Sequence, residues 1–291
     1  MNLKSLVMGL IFVFMWSSAF TSAKILVSSS PPLLILGLRF LLTGAIGLSI
    51  NSIFFKKINL NRNEWKFVLL FGICQNTLYL GLNFLAMNEI DAYLAVIVAS
   101  LLPIFVAIIS FFIKKDKIHF LIIIGIIVGF FGCWIILAPK ITLNLNLYGL
   151  LLCLIAVIAL SIATFIIKDG FSTKEQILPF VSIQMIVGGI PLILLSFIFE
   201  DWIINFSNIF IISFIYTCFF PGLIATIIWF NLVKNIGVMM ASSFHFLTPP
   251  TGVVIAYIVL NEEINNNDIL GIIFITIALI IIHQSTNKKH Y

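Results

Sequence analysis

Ten stretches of nearly unbroken apolar residues, joined by short polar links, constrain this chain more than any other feature. They run over 3–24, 33–54, 65–87, 92–113, 119–137, 147–168, 177–198, 208–230, 238–260 and 267–283. Each is close to the roughly 20 residues a helix needs to cross the hydrocarbon core of a bilayer. In lipid the backbone must satisfy its own hydrogen bonds, which leaves helices and closed barrels. Barrel strands alternate polar and apolar residues, and these runs do not. The expected fold is an all-α integral membrane bundle of ten transmembrane helices. Of the 291 residues, 62% are hydrophobic and 9% charged, against about 25% charged in a soluble domain. So few charges cannot solvate a soluble exterior, and the links are too short for a soluble catalytic domain.

The charges set the orientation. With the N-terminus placed in the cytoplasm, 13 of the 16 basic residues fall on that side, including Lys4, Lys56, Lys57, Arg62, Lys66 and the Lys114–Lys117 run. Lys24 and Lys140 fall outside, and Arg39 lies within a span. This asymmetry predicts cytoplasmic termini and an even number of spans. It also accounts for the net charge of +5 without a nucleic-acid partner. Lys4 and the small residues from Ser18 to Ala23 have the look of a signal peptide. The run between them is too long for a typical h-region, so it reads as a retained span. Cys74, Cys133, Cys153 and Cys218 lie inside apolar runs without a CxxC pair and read as small core side chains.

The chain repeats internally. At a shift of 146 residues, 101–137 aligns with 247–283 without a gap. Pro103 falls on Pro249, Asp116 on Glu262 and Gly125 on Gly271. The loop around Asp116 is lysine-rich, whereas its mate reads Asn261-Glu262-Glu263. Equivalent loops of opposite charge predict that they face opposite compartments. Five spans per half is an odd number, so the second half would enter the membrane from the other side, as an inverted-topology repeat. The expected halves are 1–140 and 141–291.

Several motifs, in order, resemble a known family. They are Trp16-Ser17-Ser18-Ala19-Phe20 in the first helix and Pro32 followed by Leu38-Arg39-Phe40 in the second. Ala99-Ser100-Leu101-Leu102-Pro103 lies in the fourth helix, and Leu260-Asn261-Glu262-Glu263-Ile264 closes the ninth. The chain is similar in these to the EamA-like carriers of the drug/metabolite transporter superfamily. It departs at Lys115-Asp116-Lys117, where that family usually has a Gly-Glu-Arg-like turn. The resemblance implies ten helices in two inverted five-helix repeats, and export or exchange of small metabolites, often amino acids.

Candidate pathway residues stand out because polar groups are so rare. Arg39 is the one unambiguous charge inside a span, suited to a substrate carboxylate or a gate ion pair, with Glu89 and Asp91 as candidate partners. A structural arginine that snorkels outward is the alternative. His245, with Ser242 three residues before it, could titrate or simply bond between helices. Gln75, Tyr79 and Asn83 form a stripe on the third helix beside Asn76, with Trp16, Ser17, Gln184, Thr226 and Trp229 on other helices. Such groups either line a cavity or tie helices together. Pro103, Pro249 and Pro221-Gly222 fall near mid-span, where proline removes a backbone hydrogen bond and carriers place hinges or gates.

No phosphate loop, HExxH or zinc set occurs, so no metal, cofactor or enzymatic activity is expected. The expected function is a secondary carrier in the bacterial inner membrane, moving small organic metabolites, amino acids foremost, by alternating access. Its partners would be that small-molecule substrate and membrane lipid. The cavity is expected between helices one, two, three, seven, eight and nine. The competing readings are a non-transporting sensor or assembly factor, a lipid-acting intramembrane enzyme, and a carrier of nucleosides or phosphorylated sugars. Several buried basic residues would suit phosphate. Only Arg39 and Lys24 are candidates.

Overall fold

The computed structural model describes residues 3–54, 58, 60–112, 119–140, 146–170, 176–260 and 265–287. Helices account for their regular structure, and no strand occurs among them. Merging helices that are interrupted but continuous gives α1 (Leu3–Val27), α2 (Pro32–Phe54), α3 (Arg62–Glu89), α4 (92–112) and α5 (Phe120–Leu137). They are followed by α6 (Leu147–Asp169), α7 (Ile177–Phe199), α8 (Asn208–Ile236), α9 (238–260) and α10 (Asn266–Asn287). Eight of these are long and apolar enough to cross a membrane. The other two are α5, whose apolar stretch Phe120–Ile136 is shorter, and the interrupted α9. Large apolar side chains such as Phe14, Phe112, Phe197 and Ile212 are exposed on the outer faces. In water these faces would aggregate; in a bilayer they meet acyl chains.

Local chemistry sets the helix ends. Asn61 caps α3 by accepting from the Asn63 and Glu64 amides, while Glu64 accepts from the Asn61 amide at 2.9 Å. This reciprocal pairing satisfies donors that have no partner within the helix. Asn146 and Ser207 cap α6 and α8 with their side chains alone, without the reciprocal bond. Pro32 opens α2, and the next two amides, of Leu33 and Leu34, donate to Glu200 at 2.8 and 2.9 Å. Gly237, at φ 79°, turns α8 into α9 in a conformation that side chains resist.

Two helix pairs approach to backbone contact. A Cβ on Gly44 would lie 2.7 Å from the Ser182 carbonyl, and one on Gly37 would lie 3.2 Å from the Gly189 carbonyl. Positions ascend along α2 as they descend along α7, so the pair is antiparallel. The contacts are also reciprocal, because at a shift of 145 residues Gly37 pairs with Ser182 and Gly44 with Gly189. The α5–α10 crossing repeats the pattern at a shift of 146. Gly125 abuts Ile282, and Gly271 abuts Ile136. Contacts in which i meets j and the mate of i meets the mate of j are what a two-fold relation produces.

Helix irregularities recur at the same 146-residue shift. A π turn over Gly72–Leu80 interrupts α3, and one over Cys218–Ile224 interrupts α8. α4 breaks at Ser100–Leu101 and restarts at Leu102, while α9 passes through a 3-10 turn at Phe244–Leu247 and restarts at Thr248. Pro103 and Pro249 follow these breaks directly. The expected match of Asp116 with Glu262 lies outside the described residues.

Because Gly44 faces the Ser182 carbonyl as well as the Ile186 side chain, Gly44→Leu should destabilise the protein by about 1–3 kcal/mol, the usual cost of overpacking. Gly252→Ala, where nothing lies within 4 Å, should leave the melting temperature in detergent unchanged.

Candidate functional site

The π turn of α3 rests on α7. A Cβ on Gly72 would lie 2.6 Å from the Gln184 carbonyl, and Thr77 donates to the Gly188 carbonyl at 2.9 Å. Asn76 donates to the Gln184 carbonyl at 3.0 Å and to its side-chain oxygen. The wider turn changes the helix register at this contact, as π insertions in helices do. Asn76 is held against α7 while Gln75 and Tyr79 line the space between α1 and α2. Proline lies within the π turn of α8 as well. Pro221 has no amide to give to the preceding turn, and Thr43 of α2 donates to the Cys218 carbonyl at 3.4 Å.

Between these helices lies a cavity of about 40 Å³, room for a few waters. α1 contributes Trp16, Ala19, Phe20 and Ala23; α2 contributes Arg39 and Phe40. α3 lends one continuous face, from Gln75 and Asn76 through Tyr79 and Asn83 to Met87, with Leu80 and Phe84 between. Met185 of α7 and Pro221, Gly222 and Thr226 of α8 complete it. The cavity thus draws on five of the six helices expected from sequence; α9 does not reach it.

Arg39 is 4% exposed. Its guanidinium carbon lies 5.3 Å from the Phe40 ring centroid, and one terminal nitrogen would lie 3.5 Å from a Cβ on Gly222. Nε has no hydrogen-bond partner, and among the described residues no carboxylate pairs with the group. Glu89, a sequence-level candidate, instead accepts from Asn146 at 2.7 Å. Lys24 is committed elsewhere, donating to the Met87 and Ile90 carbonyls at the end of α3. Gln75 Oε1 is buried and likewise unpartnered. Asn83, by contrast, donates to the Tyr79 carbonyl at 2.8 Å, and its oxygen accepts from the Cys153 thiol at 3.5 Å.

His245 is placed differently from what its polar neighbours imply. It sits in the 3-10 turn of α9, 1% exposed, inside a box of aromatic rings. Phe12, Trp16 and Trp229 meet its ring edge-on at centroid distances of 5.5, 5.6 and 5.2 Å. Neither ring nitrogen has a hydrogen-bond partner. Trp16 links this box to the cavity by stacking on Tyr79 at 6.0 Å. Trp229 belongs to the box alone. Ser242 bonds back to Met239 in its own helix, and Ser17 donates to the Thr248 carbonyl at 3.2 Å, tying α1 to the α9 break. Gln184 lies behind Asn76, outside the cavity lining. Pro103 and Pro249 are buried beside the helix breaks, away from the lining.

Sequence reasoning missed the apolar wall: Ala19, Phe20, Ala23, Leu80, Phe84, Met87 and Met185. On α3 the signal was the 3–4 residue spacing it shares with the polar stripe. In an apolar chain that spacing gives apolar residues no contrast.

These features define a helical membrane protein with an internal cavity whose wall includes unpartnered polar groups. The family model described as the EamA-like transporter family matches residues 3–138 and again 147–284, and the chain belongs to that family. Among curated proteins it is 27% identical to the uncharacterized transporter YoaV of Bacillus subtilis, covering 92% of this chain and 93% of that one. It is 25% identical to the uncharacterized transporter YvbV of the same organism, over 95% of this chain and 90% of that one. It is 23% identical to a probable amino-acid metabolite efflux pump of Escherichia coli, over 97% and 95% of the two chains. A crystal structure at 15% identity shares the fold with a TM-score of 0.79 and full coverage of both chains.

Asn76→Ala would strand the buried Gln184 side chain and should cost about 1–3 kcal/mol, read as a lower melting temperature. Gln75→Ala removes an oxygen that has no partner, and should melt close to the wild type.

Proposed function

We propose that the chain is a secondary carrier that moves small organic metabolites, amino acids foremost, across the bacterial inner membrane by alternating access. The observation that carries this reading is Arg39: a buried guanidinium in a cavity wall, without a counter-ion among the described residues. A charge buried within a membrane protein is costly and marks a pathway more often than a strut. An anionic group on the substrate would supply the missing partner. The E. coli relative's name supports amino acids as the class.

An inverted repeat of two five-helix halves is supported by the antiparallel, reciprocal crossings of α2 with α7 and α5 with α10. Antiparallel mates related by a two-fold place the axis across the helices, in the membrane plane. The shared π turns and breaks give each half matching points at which helices can bend. On the orientation predicted by the lysines, the cavity extends from mid-membrane toward the outside. The aromatic box around His245 then closes the inner side. The small cavity fits a closed state, from which the helices must part to admit a solute.

Counterflow in proteoliposomes with a pooled labelled amino-acid mixture tests the function. Wild-type protein should accumulate label, and Arg39→Ala should lose at least tenfold, as expected when a charged partner is removed. No accumulation by folded wild-type protein would overturn the reading. Topology is tested separately in a Cys74→Ser background. Asp201→Cys should react with an impermeant thiol reagent added to intact cells, and Asn63→Cys only after permeabilisation. The reverse pattern would overturn the orientation.

A further inference from the structure

Free and committed polar groups in the cavity wall separate cleanly, and the free ones describe a ligand. Asn76 is spent on Gln184, and Asn83 on Tyr79 and Cys153. That leaves Arg39 Nε and Trp16 Nε1 as buried donors and Gln75 Oε1 as a buried acceptor, none with a partner. Among the described residues, no acidic side chain lines the cavity. The rest of the wall is mainly apolar, including Phe20, Phe84, Met87 and Met185.

From this inventory we propose that the substrate is an α-amino acid with an uncharged, apolar side chain. Its carboxylate binds Arg39, its α-amino group donates to Gln75 Oε1, and its side chain packs on the apolar wall. The assignment rests on the carrier reading and narrows it. One cation in the wall matches one carboxylate. A second carboxylate, as in glutamate, meets no second cation. A side-chain ammonium, as in lysine, meets no anion and would add to the positive charge of Arg39. Desolvating an unmatched charge is expensive in so dry a site. The α-ammonium sits beside its own carboxylate and so needs only a neutral acceptor from the wall, and the occupied site keeps the net positive charge of Arg39. A site built to bond a ligand N–H rejects an analogue that lacks it, because its own buried acceptor is then stranded.

The test is counterflow of labelled leucine against unlabelled competitors. Valine and phenylalanine should compete with leucine. Lysine, glutamate, leucinamide (no carboxylate) and 4-methylpentanoate (no amine) should compete at least tenfold less well. Gln75→Leu should bring leucine and 4-methylpentanoate to within about twofold of each other, by weakening leucine alone. A purely structural role for Gln75 would weaken both in proportion, and that result would overturn the assignment. So would leucinamide or lysine competing as well as leucine, or accumulation from the amino-acid pool that excludes leucine. In each of these cases a carrier remains. If the folded wild type accumulates no amino acid, the carrier reading itself falls, and this assignment with it.

Discussion

The interior of this protein depends on helices brought close enough for their backbones to touch. Between lipid-soluble helices there is no hydrophobic gain to drive association, so packing at short range does the work. Gly37 and Gly44 on α2 meet Gly189 and Ser182 on α7; Gly125 and Gly132 on α5 meet the α10 face carrying Gly271 and Ala278. Side chains at these points would hold the helices apart. The α2–α7 crossing has a further consequence, because both helices also wall the cavity. α2 brings Arg39, and α7 supplies the surface that holds the π turn of α3 and so sets which way Gln75 and Tyr79 face.

Water's absence then sorts the polar side chains into two kinds. Those that hold helices together are paired: Asn76 with Gln184, Ser17 with the Thr248 carbonyl, Lys24 with the end of α3. Several of these partners are backbone groups at a helix end or break, where carbonyls lose their intrahelical bonds. Arg39 and Gln75 are of the other kind, buried and incomplete. His245 is incomplete too, but it is enclosed by rings rather than facing the cavity.

The fold class was legible because apolar runs of this length have few structural outcomes. The 146-residue register was legible through Pro103 and Pro249, and the starts of the π turns and the restarts at Leu102 and Thr248 share it. Arg39, Gln75 and Tyr79 were legible as site candidates because polar groups stand out in an apolar chain. Which were free was not. Asn76 and Gln75 are neighbours of similar chemistry that both line the cavity, and only a π turn, unseen in the sequence, ties the Asn76 amide to α7 while the Gln75 oxygen stays free. Ser242 and His245 looked like a shared polar face. The 3-10 turn places His245 among aromatic rings that reach it from α1 and α8, contacts no local pattern encodes. Eight spans met the length that ten were expected to meet, because α5 is short and α9 is broken.

The placement of charge also bears on how such a carrier would run. Every Asp and Glu in the sequence lies at or beyond a helix end or in a link, and among the described residues Arg39 is the one formal charge in the cavity wall. On the proposed reading, an empty site must carry that charge through the conformational change uncompensated. A loaded site carries the same net charge, but with the guanidinium in direct contact with the substrate carboxylate rather than bare. The loaded form therefore crosses the lower electrostatic barrier, since an unpaired charge in a low-dielectric interior costs several kcal/mol and a well-matched pair offsets much of this. Such a bias favours one-for-one exchange over return of the empty carrier. It needs no buried acid to relay protons, because the substrate carboxylate supplies the local partner that the guanidinium otherwise lacks.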